Sequence, residues 1–267
     1  MREPHPKNMN VTAERMQEWL DKLSHYRDPP QEGRVDRWLK QFNWTDQDLA
    51  ARVLDCLEVV PDTKVHSVFR TALEKLEVYG WHRDPNTRTG HLMFSGFTRS
   101  PGESGDSMIH KFRFANSMDQ KKYNKLFKYV SEILNQPRGP NDNLVFVDDF
   151  SGSGKQVIDA WTEFFQELLY GGPNIFLVLV AATDQALEGI REQTGFRPIH
   201  GIELCAQDCV FSPRNGFFDN AEKRKIEQYG KRAYPRKPKG FSDGGLLFVL
   251  PHRCPNNTIP IIHHSRA

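Results

Sequence analysis

The sequence predicts an α/β protein with a mainly parallel sheet, preceded by a helical module. Three observations carry that reading. Leu144–Val147 and Ile175–Val180 are near-continuous apolar runs, as expected of strands covered on both faces. Between them Val157, Ala160, Trp161, Phe164 and Leu168 fall on one helical face, which gives the order strand, helix, strand. Upstream, the apolar residues repeat with the period of a helix rather than that of a strand.

Taken in order, Met16, Trp19, Leu20 and Leu23 repeat at i, i+3, i+4 and i+7, and so do Val35, Trp38, Leu39 and Phe42, with Asp28-Pro-Pro separating the two helices. Thr45-Asp-Gln-Asp48 reads as a capping box for a third helix carrying Leu49, Val53 and Leu57. A fourth follows Pro61-Asp-Thr63, presents Val65, Phe69, Ala72 and Leu76, and stops at Gly80. The turn-rich stretch Asp84–Gly90 then leads into the core. Strands are expected near Leu92–Phe97 and Met108–Phe114, and a helix over roughly Gln120–Leu134. After the strand, helix, strand unit, Gly171-Gly-Pro173 is a stop, and a helix near Gln185–Gln193 and a strand near Pro198–Leu204 complete the pattern. The expected domains are a helical module, 1–88, and an α/β core, 89–267, with a basic insertion near 211–240.

The chain has 267 residues, 26% of them charged, and a formal net charge of only +2, so nothing global points to nucleic acid. Residues 1–80 hold 12 lysines and arginines against 14 acids, which argues against a broad phosphate-binding face there. No run approaches the roughly 18 apolar residues of a membrane span, and Met1-Arg-Glu-Pro-His-Pro-Lys lacks a signal-peptide core. A cytoplasmic protein is expected. Cys56, Cys205, Cys209 and Cys254 form no CxxC pair, which suits a reducing compartment, and no protein metal site is expected from them.

Chemistry concentrates in Asp148-Asp149-Phe-Ser151-Gly152-Ser153-Gly154-Lys155-Gln156, which closes the strand Leu144–Val147 and opens a helix. Ligands of open α/β sheets sit at the carboxyl ends of strands, and backbone N–H groups of a small-residue loop at a helix start make an anion site. The paired carboxylates suit ribose hydroxyls, so the whole reads as a holder for a ribose 5-phosphate. A Walker A loop would need Gly at 149 and Ser or Thr at 156, and a dinucleotide fingerprint would need Gly at 157. Asp149, Gln156 and Val157 exclude both.

Three further segments are candidates. Arg99-Ser-Pro-Gly-Glu103-Ser104-Gly105-Asp106 is either an anion-binding loop, with Arg99 pairing phosphate and the Ser-Gly amides cradling it, or an exposed connection. Between Phe211 and Gly240 there are 9 lysines and arginines against 3 acids. There Lys223, Arg224, Lys225, Lys231 and Arg232 are interleaved with Tyr229 and Tyr234, as in a single-strand nucleic-acid groove or simply a solvated surface insertion. Near the end, a short apolar strand leads to His252 and then Pro-Asn256-Asn257-Thr-Ile-Pro, whose amides suit the edge of a base or a sugar, or an Asx-type turn.

The strand, acidic pair, apolar residue and Gly/Ser loop resemble the signature of the type I phosphoribosyltransferases. Asp148 and Asp149 match the acidic pair, Phe150 the apolar position, and Ser153-Gly154 the phosphate-cradling Thr-Gly. Gly152 stands where that family often has Thr, and Lys155-Gln156 where Gly-Thr is usual. Lys155 is either an added phosphate contact or the mark of a different ligand. With Trp38-Leu-Lys-Gln-Phe42 and the closing Pro-Asn-Asn-Thr-x-Pro, the chain looks like the phosphoribosyltransferase-like proteins of bacterial conflict systems, some of which are retron anti-phage effectors.

That resemblance implies a sheet of the type I phosphoribosyltransferase kind, binding of phosphoribosyl pyrophosphate or a nucleotide, and transfer or hydrolysis at the anomeric carbon. It implies Asp148 and Asp149 as catalytic residues holding the ribose hydroxyls, Ser151 to Gln156 on the 5-phosphate, and Arg99, Glu103, Ser104 and Gly105 on pyrophosphate. Mg²⁺ would be carried with the substrate. It further implies a reverse transcriptase with its DNA–RNA hybrid as a partner, and it leaves room for a homo-oligomer or for a non-catalytic nucleotide-sensing or nucleic-acid-binding subunit.

Overall fold

The computed structural model describes residues 11–82, 84–99 and 102–264. The N-terminal Met1–Lys7, and Ser100 and Pro101 of the Arg99–Asp106 loop, lie outside the described residues. In chain order the elements are α1 (Ala13–Leu23), α2 (Glu32–Leu39), α3 (Gln47–Cys56), β1 (Glu58–Val59), α4 (Asp62–Lys75), β2 (Leu92–Gly96), α5 (Ser104–Ala115), α6 (Val130–Leu134), β3 (Asn143–Ser151), α7 (Lys155–Ala160), β4 (Asn174–Thr183), α8 (Asp184–Gln193), β5 (Arg197–Leu204), α9 (Asn220–Ala233) and β6 (Phe248–Val249). The chain forms two compact units, one of residues 1–62 with 206–267 and one of residues 63–205.

The unit 63–205 is built on a four-stranded parallel sheet in the order β2-β3-β4-β5. Every residue of β3 is buried, because the strand lies between β2 and β4 and is covered on both faces. On one face Met93, Leu144, Phe146 and Leu177 pack with Ile133 of α6, Val157 of α7 and Ile190 of α8. On the other, Phe94 of β2 lies 5.2 Å from Phe112 of α5, which lies 5.6 Å from Phe69 of α4. Gly201 of β5 meets α4 so closely that a Cβ would come within 2.1 Å of Val68. The layers are therefore helix, sheet, helix. Each buried Phe or Leu contributes about 1.5–3 kcal/mol of transfer free energy.

Helix α4 runs on as a 3-10 turn, Leu76–Tyr79, and ends at Gly80 (φ 90°), the stop expected from sequence. Helix α7 likewise continues as a π-turn, Trp161–Phe165, and a 3-10 turn, Gln166–Leu169.

Three expectations are corrected. The strand expected at Met108–Phe114 is part of α5. Lys111-Phe-Arg-Phe114 alternates like a strand, yet Met108 and Phe112 are buried at helical spacing while Phe114 is 64% exposed. The helix expected over Gln120–Leu134 is a 3-10 turn, Lys121–Leu126, followed by the short α6. Phe127 interrupts it by bridging to Phe94 of β2, and the Lys128 N–H donates to the Phe94 carbonyl (2.9 Å). The capping box at Thr45–Asp48 does not form. A 3-10 turn, Trp44–Asp46, precedes α3, and the Asp46 carboxylate instead receives Lys225 (2.5 Å) and the Tyr229 hydroxyl (2.9 Å).

The other unit joins both ends of the chain. β1 pairs in parallel with β6, Glu58 opposite Phe248 and Val59 opposite Val249. Trp19, Leu39 and Val53 share a core with Val210, Ile226, Tyr229 and Ile261. The Trp38 indole donates to the Ile261 carbonyl (2.8 Å) and the Thr258 hydroxyl to the Phe248 carbonyl (2.6 Å). The units thus divide the chain near 62 and 205 rather than at 88, and the basic stretch 211–240 belongs with the N-terminal helices.

Candidate functional site

The parallel strands of unit 63–205 end together, and the acidic pair stands at that edge on β3. Asp148 is 4% exposed and Asp149 wholly buried. The Asp148 Oδ1 accepts the Ser104 hydroxyl (2.5 Å) and the Asp149 N–H (2.9 Å). Ser104 opens α5, so the loop after β2 and the acidic pair of β3 are one constellation.

Two glycines make that approach possible. A Cβ on Gly105 would lie 2.5 Å from the Phe97 carbonyl oxygen, and one on Gly96 2.5 Å from the Gly105 carbonyl oxygen. The first turn of α5 can therefore rest on the end of β2 only with hydrogen at both positions. Side chains hold the loop itself. Glu103, the residue capping α5, accepts the Arg99 N–H (2.8 Å), and Asp106 accepts the Gly102 N–H (2.9 Å). The Arg99 guanidinium is 3.7 Å from Glu163 and is exposed at the rim.

The second loop leaves β3 at Ser151, passes the half-buried Gly152 and Ser153, and enters α7 through Gly154. Gly154 has φ 72°, a left-handed conformation that costs other residues about 1–2 kcal/mol. A Cβ there would also stand 3.2 Å from the Ala186 carbonyl oxygen. Thr183, at the end of β4, fixes the loop from below. Its hydroxyl donates to the Gly152 carbonyl (2.6 Å) and accepts the Ala186 N–H (3.0 Å), so one side chain caps α8 and anchors the loop. Ser153 Oγ lies 3.4 Å from the Lys155 N–H, a long contact that a better acceptor can replace. Lys155 and Gln156 are exposed, and the Lys155 ammonium pairs with Asp159 one turn on (2.9 Å). Such an exposed pair is weak enough to exchange for a phosphate.

Backbone N–H groups at the loop, hydroxyls at Ser104 and Ser153, and two carboxylates are what a phosphorylated sugar needs: donors for the phosphate and acceptors for the hydroxyls. Among the described residues no group of three or more His, Cys, Asp or Glu side chains is arranged to hold a metal ion. Thr183 and Gly96 escaped sequence reasoning. The strand-Thr-Asp-helix junction at Thr183 is a readable N-cap, but its grip on Gly152 is a tertiary contact.

The remaining sequence candidates belong to the other unit. Asn257 is buried, its amide donates to the Phe241 carbonyl (3.0 Å), and its own carbonyl accepts the Leu246 N–H, so it holds a turn. Asn256 is exposed and accepts the Phe241 N–H through its carbonyl, and His252 follows β6 in the same turn region. The basic residues lie on or beside α9, which packs Ile226, Tyr229 and Ala233 inward. Lys223 caps the Ser212 and Asn215 carbonyls, Lys225 pairs with Asp46, Lys231 with Glu227, and Arg232 covers the Tyr229 ring. Arg224 is on the same helix. Tyr229 is 3% exposed and Tyr234 stacks on His264 at 4.6 Å, so these rings are engaged within the fold rather than offered as a stacking platform.

No curated protein matches the chain. Among solved structures, an orotate phosphoribosyltransferase from Aeropyrum pernix matches at 12% identity and a TM-score of 0.32, over 52% of this chain and 68% of that one. That likeness is too distant to add to the argument. The model of the PRTase-CE family matches residues 35–267, which takes in both units, the acidic pair and the loop that follows it. That match covers most of the chain, which therefore belongs to the PRTase-CE family and is a phosphoribosyltransferase-like protein.

Proposed function

We propose that unit 63–205 binds a ribose 5-phosphate, as phosphoribosyl pyrophosphate or a nucleotide, and catalyses transfer or hydrolysis at the anomeric carbon. The observation that carries this reading is the Ser104–Asp148 hydrogen bond (2.5 Å), which joins the two loops a phosphoribosyl donor has to touch at once. Ribose hydroxyls would replace the Ser104 hydroxyl at Asp148, one O–H donor for another. The N–H groups of Ser153, Gly154 and Lys155 would take the 5-phosphate, with the Lys155 ammonium released from Asp159. Arg99, Glu103, Ser104 and Gly105 would take the pyrophosphate.

In the reaction the bond from the anomeric carbon to the leaving group breaks, and the leaving group keeps the electron pair. A lone pair from water or an acceptor nitrogen forms the new bond, and that nucleophile loses a proton. The carboxylates stabilise the positive charge that develops on the sugar between those events. Magnesium would be carried with the substrate, where it would neutralise charge on the pyrophosphate, and Asp148 and Asp149 are the residues that would hold it on the protein side.

A second reading, a non-catalytic nucleotide sensor, draws on the complete burial of Asp149. The setting suggested by the resemblance is bacterial anti-phage defence, with a reverse transcriptase and its DNA–RNA hybrid as partners and a toxic activity to be released. The test is calorimetric titration of phosphoribosyl pyrophosphate with Mg²⁺ into wild type and an Asp148→Asn/Asp149→Asn variant shown by its melting curve to be folded. Saturable binding that the variant loses, with pyrophosphate released on incubation, is the expected result. Binding without turnover, in water and with purine and pyrimidine bases added as acceptors, selects the sensor, and no binding to wild type overturns the phosphoribosyl pyrophosphate reading.

A further inference from the structure

Unit 1–62/206–267 holds a cavity of about 480 Å³ that the reading above does not use. Its volume is that of a small-molecule site. One wall is a single stripe of α2 and the residues just after it. Arg34, Arg37, Trp38 and Gln41 stand at i, i+3, i+4 and i+7, and all four line the cavity. Tyr26 adds a second aromatic ring, and Leu57, Val249 and Ile262 make the interior apolar. Trp38 is oriented by two contacts. Its indole N–H donates to the Ile261 carbonyl (2.8 Å), and its ring meets Phe42 edge-on at 4.8 Å.

Each lining group states a requirement. Two guanidinium groups on one stripe ask for an anion, and phosphate is the group their fork geometry fits. Asp28 also lines the cavity and already shares Arg34 (3.1 Å), in a pair whose side chains are 61% and 73% exposed. Such a pair is worth little and opens readily. Tyr26 and Trp38 ask for a flat ring, and the Gln41 amide can both donate to and accept from the edge of a base. Cys254 lines the interior, and burial pushes its thiol up to about 12, so it is a small apolar surface and not a nucleophile.

We propose that this cavity is a second ligand site, one that takes a nucleoside monophosphate: the ring between Tyr26 and Trp38, the base edge on Gln41, and the phosphate on Arg34 and Arg37. The site is assigned binding and no reaction: the two imidazoles that also line it are engaged, His263 with the Thr258 carbonyl (3.2 Å) and His264 in a stack on Tyr234 (4.6 Å). A regulatory ligand of this class would give the N-terminal and C-terminal segments a role beyond supporting one another.

The probe is adenosine 5′-monophosphate, titrated calorimetrically into the full chain carrying Ser153→Asp, which places a negative charge in the other phosphate loop. Binding is expected to persist there with one site per chain, and to weaken about tenfold when Arg37→Glu is added, the loss of one charged hydrogen bond. Adenosine, lacking the phosphate, should bind more weakly and be indifferent to Arg37→Glu. Arg37 is exposed, so its substitution leaves the fold intact, and a melting curve checks that. Binding that wild type shows and Ser153→Asp abolishes would assign the nucleotide to the β3 loop and overturn the proposal. An unchanged affinity in Arg37→Glu, or no binding at millimolar nucleotide in either protein, overturns it as well. None of these results depends on whether phosphoribosyl pyrophosphate binds.

Discussion

At the scale of the residue, the site depends on atoms that are missing as much as on those present. Ser104 reaches Asp148 at 2.5 Å because Gly105 and Gly96 let α5 rest against β2 without a Cβ between them. Gly105→Ala puts a methyl group 2.5 Å from the Phe97 carbonyl oxygen, which is backbone and cannot rotate away. The helix has to shift, at an expected cost of about 1–3 kcal/mol. Ser104→Ala leaves the helix in place and removes only a hydrogen bond to a buried carboxylate, which also costs about 1–3 kcal/mol. The two variants are thus expected to melt lower by similar amounts and to differ in ligand binding. Ser104→Ala keeps the approach of the two loops and binds a ribose 5-phosphate, whereas Gly105→Ala separates them and does not. Equal affinity in the two would remove the role assigned to this contact.

At the scale of the element, the legible features were those that a single segment decides. Apolar runs identified β3 and β4, and helical stripes identified α1 to α4, because burial on two faces and on one face leaves those patterns in any context. The Asp148–Gln156 loop was legible for the same reason, since strand, acids, glycines and helix follow one another along the chain. What was not legible depended on a partner far away in sequence. Phe127 breaks its helix to reach Phe94, Thr183 acts through Gly152, and Asp46, at the N-cap position of α3, turns its carboxylate to Lys225 and Tyr229 of α9. That last group makes a measurable claim. Burial alone would push the Asp46 carboxyl up, but hydrogen bonds from Lys225 and Tyr229 outweigh it and hold the group below the ordinary carboxylate range. A depressed folded value means the contribution to stability is complete above about pH 4, the unfolded value, and fades as pH falls through the folded one. Tyr229→Phe removes the hydrogen bond to Asp46 and the one that the hydroxyl accepts from the Asn43 N–H (3.0 Å), and no ring packing. It is expected to cost about 1–3 kcal/mol near pH 7, with the difference from wild type shrinking as urea melts are taken below pH 4. A cost that stays wholly constant into acid would assign the effect to the lost Asn43 bond rather than to Asp46.

At the scale of the whole molecule, the central fact is that the chain leaves one unit after Asp62 and returns to it after Cys205. Composition along the sequence carried no sign of this. The helices α1 to α3 have complete amphipathic stripes and read as a module, yet β1 is two residues long and pairs only with the equally short β6. Neither strand has the length to be recognised alone, and a two-stranded pairing of this size is not stable without its surroundings. The stability of residues 11–62 should therefore be tied to that of residues 206–264, although about 140 residues separate them, and not to the parallel sheet that intervenes in sequence. Val53 is fully buried in the core the two segments share. Val53→Ala is expected to lower protection from hydrogen exchange in α1, α3, α9 and the stretch 246–262 together, by a common factor, because they open as one cooperative unit. Amides of β3 and β4 should keep their wild-type protection under the same conditions. Loss confined to α1–α3, with 246–262 unchanged, would mean that the N-terminal helices stand as an independent module after all. Loss spread evenly through β3 and β4 would mean that the chain opens as one cooperative body.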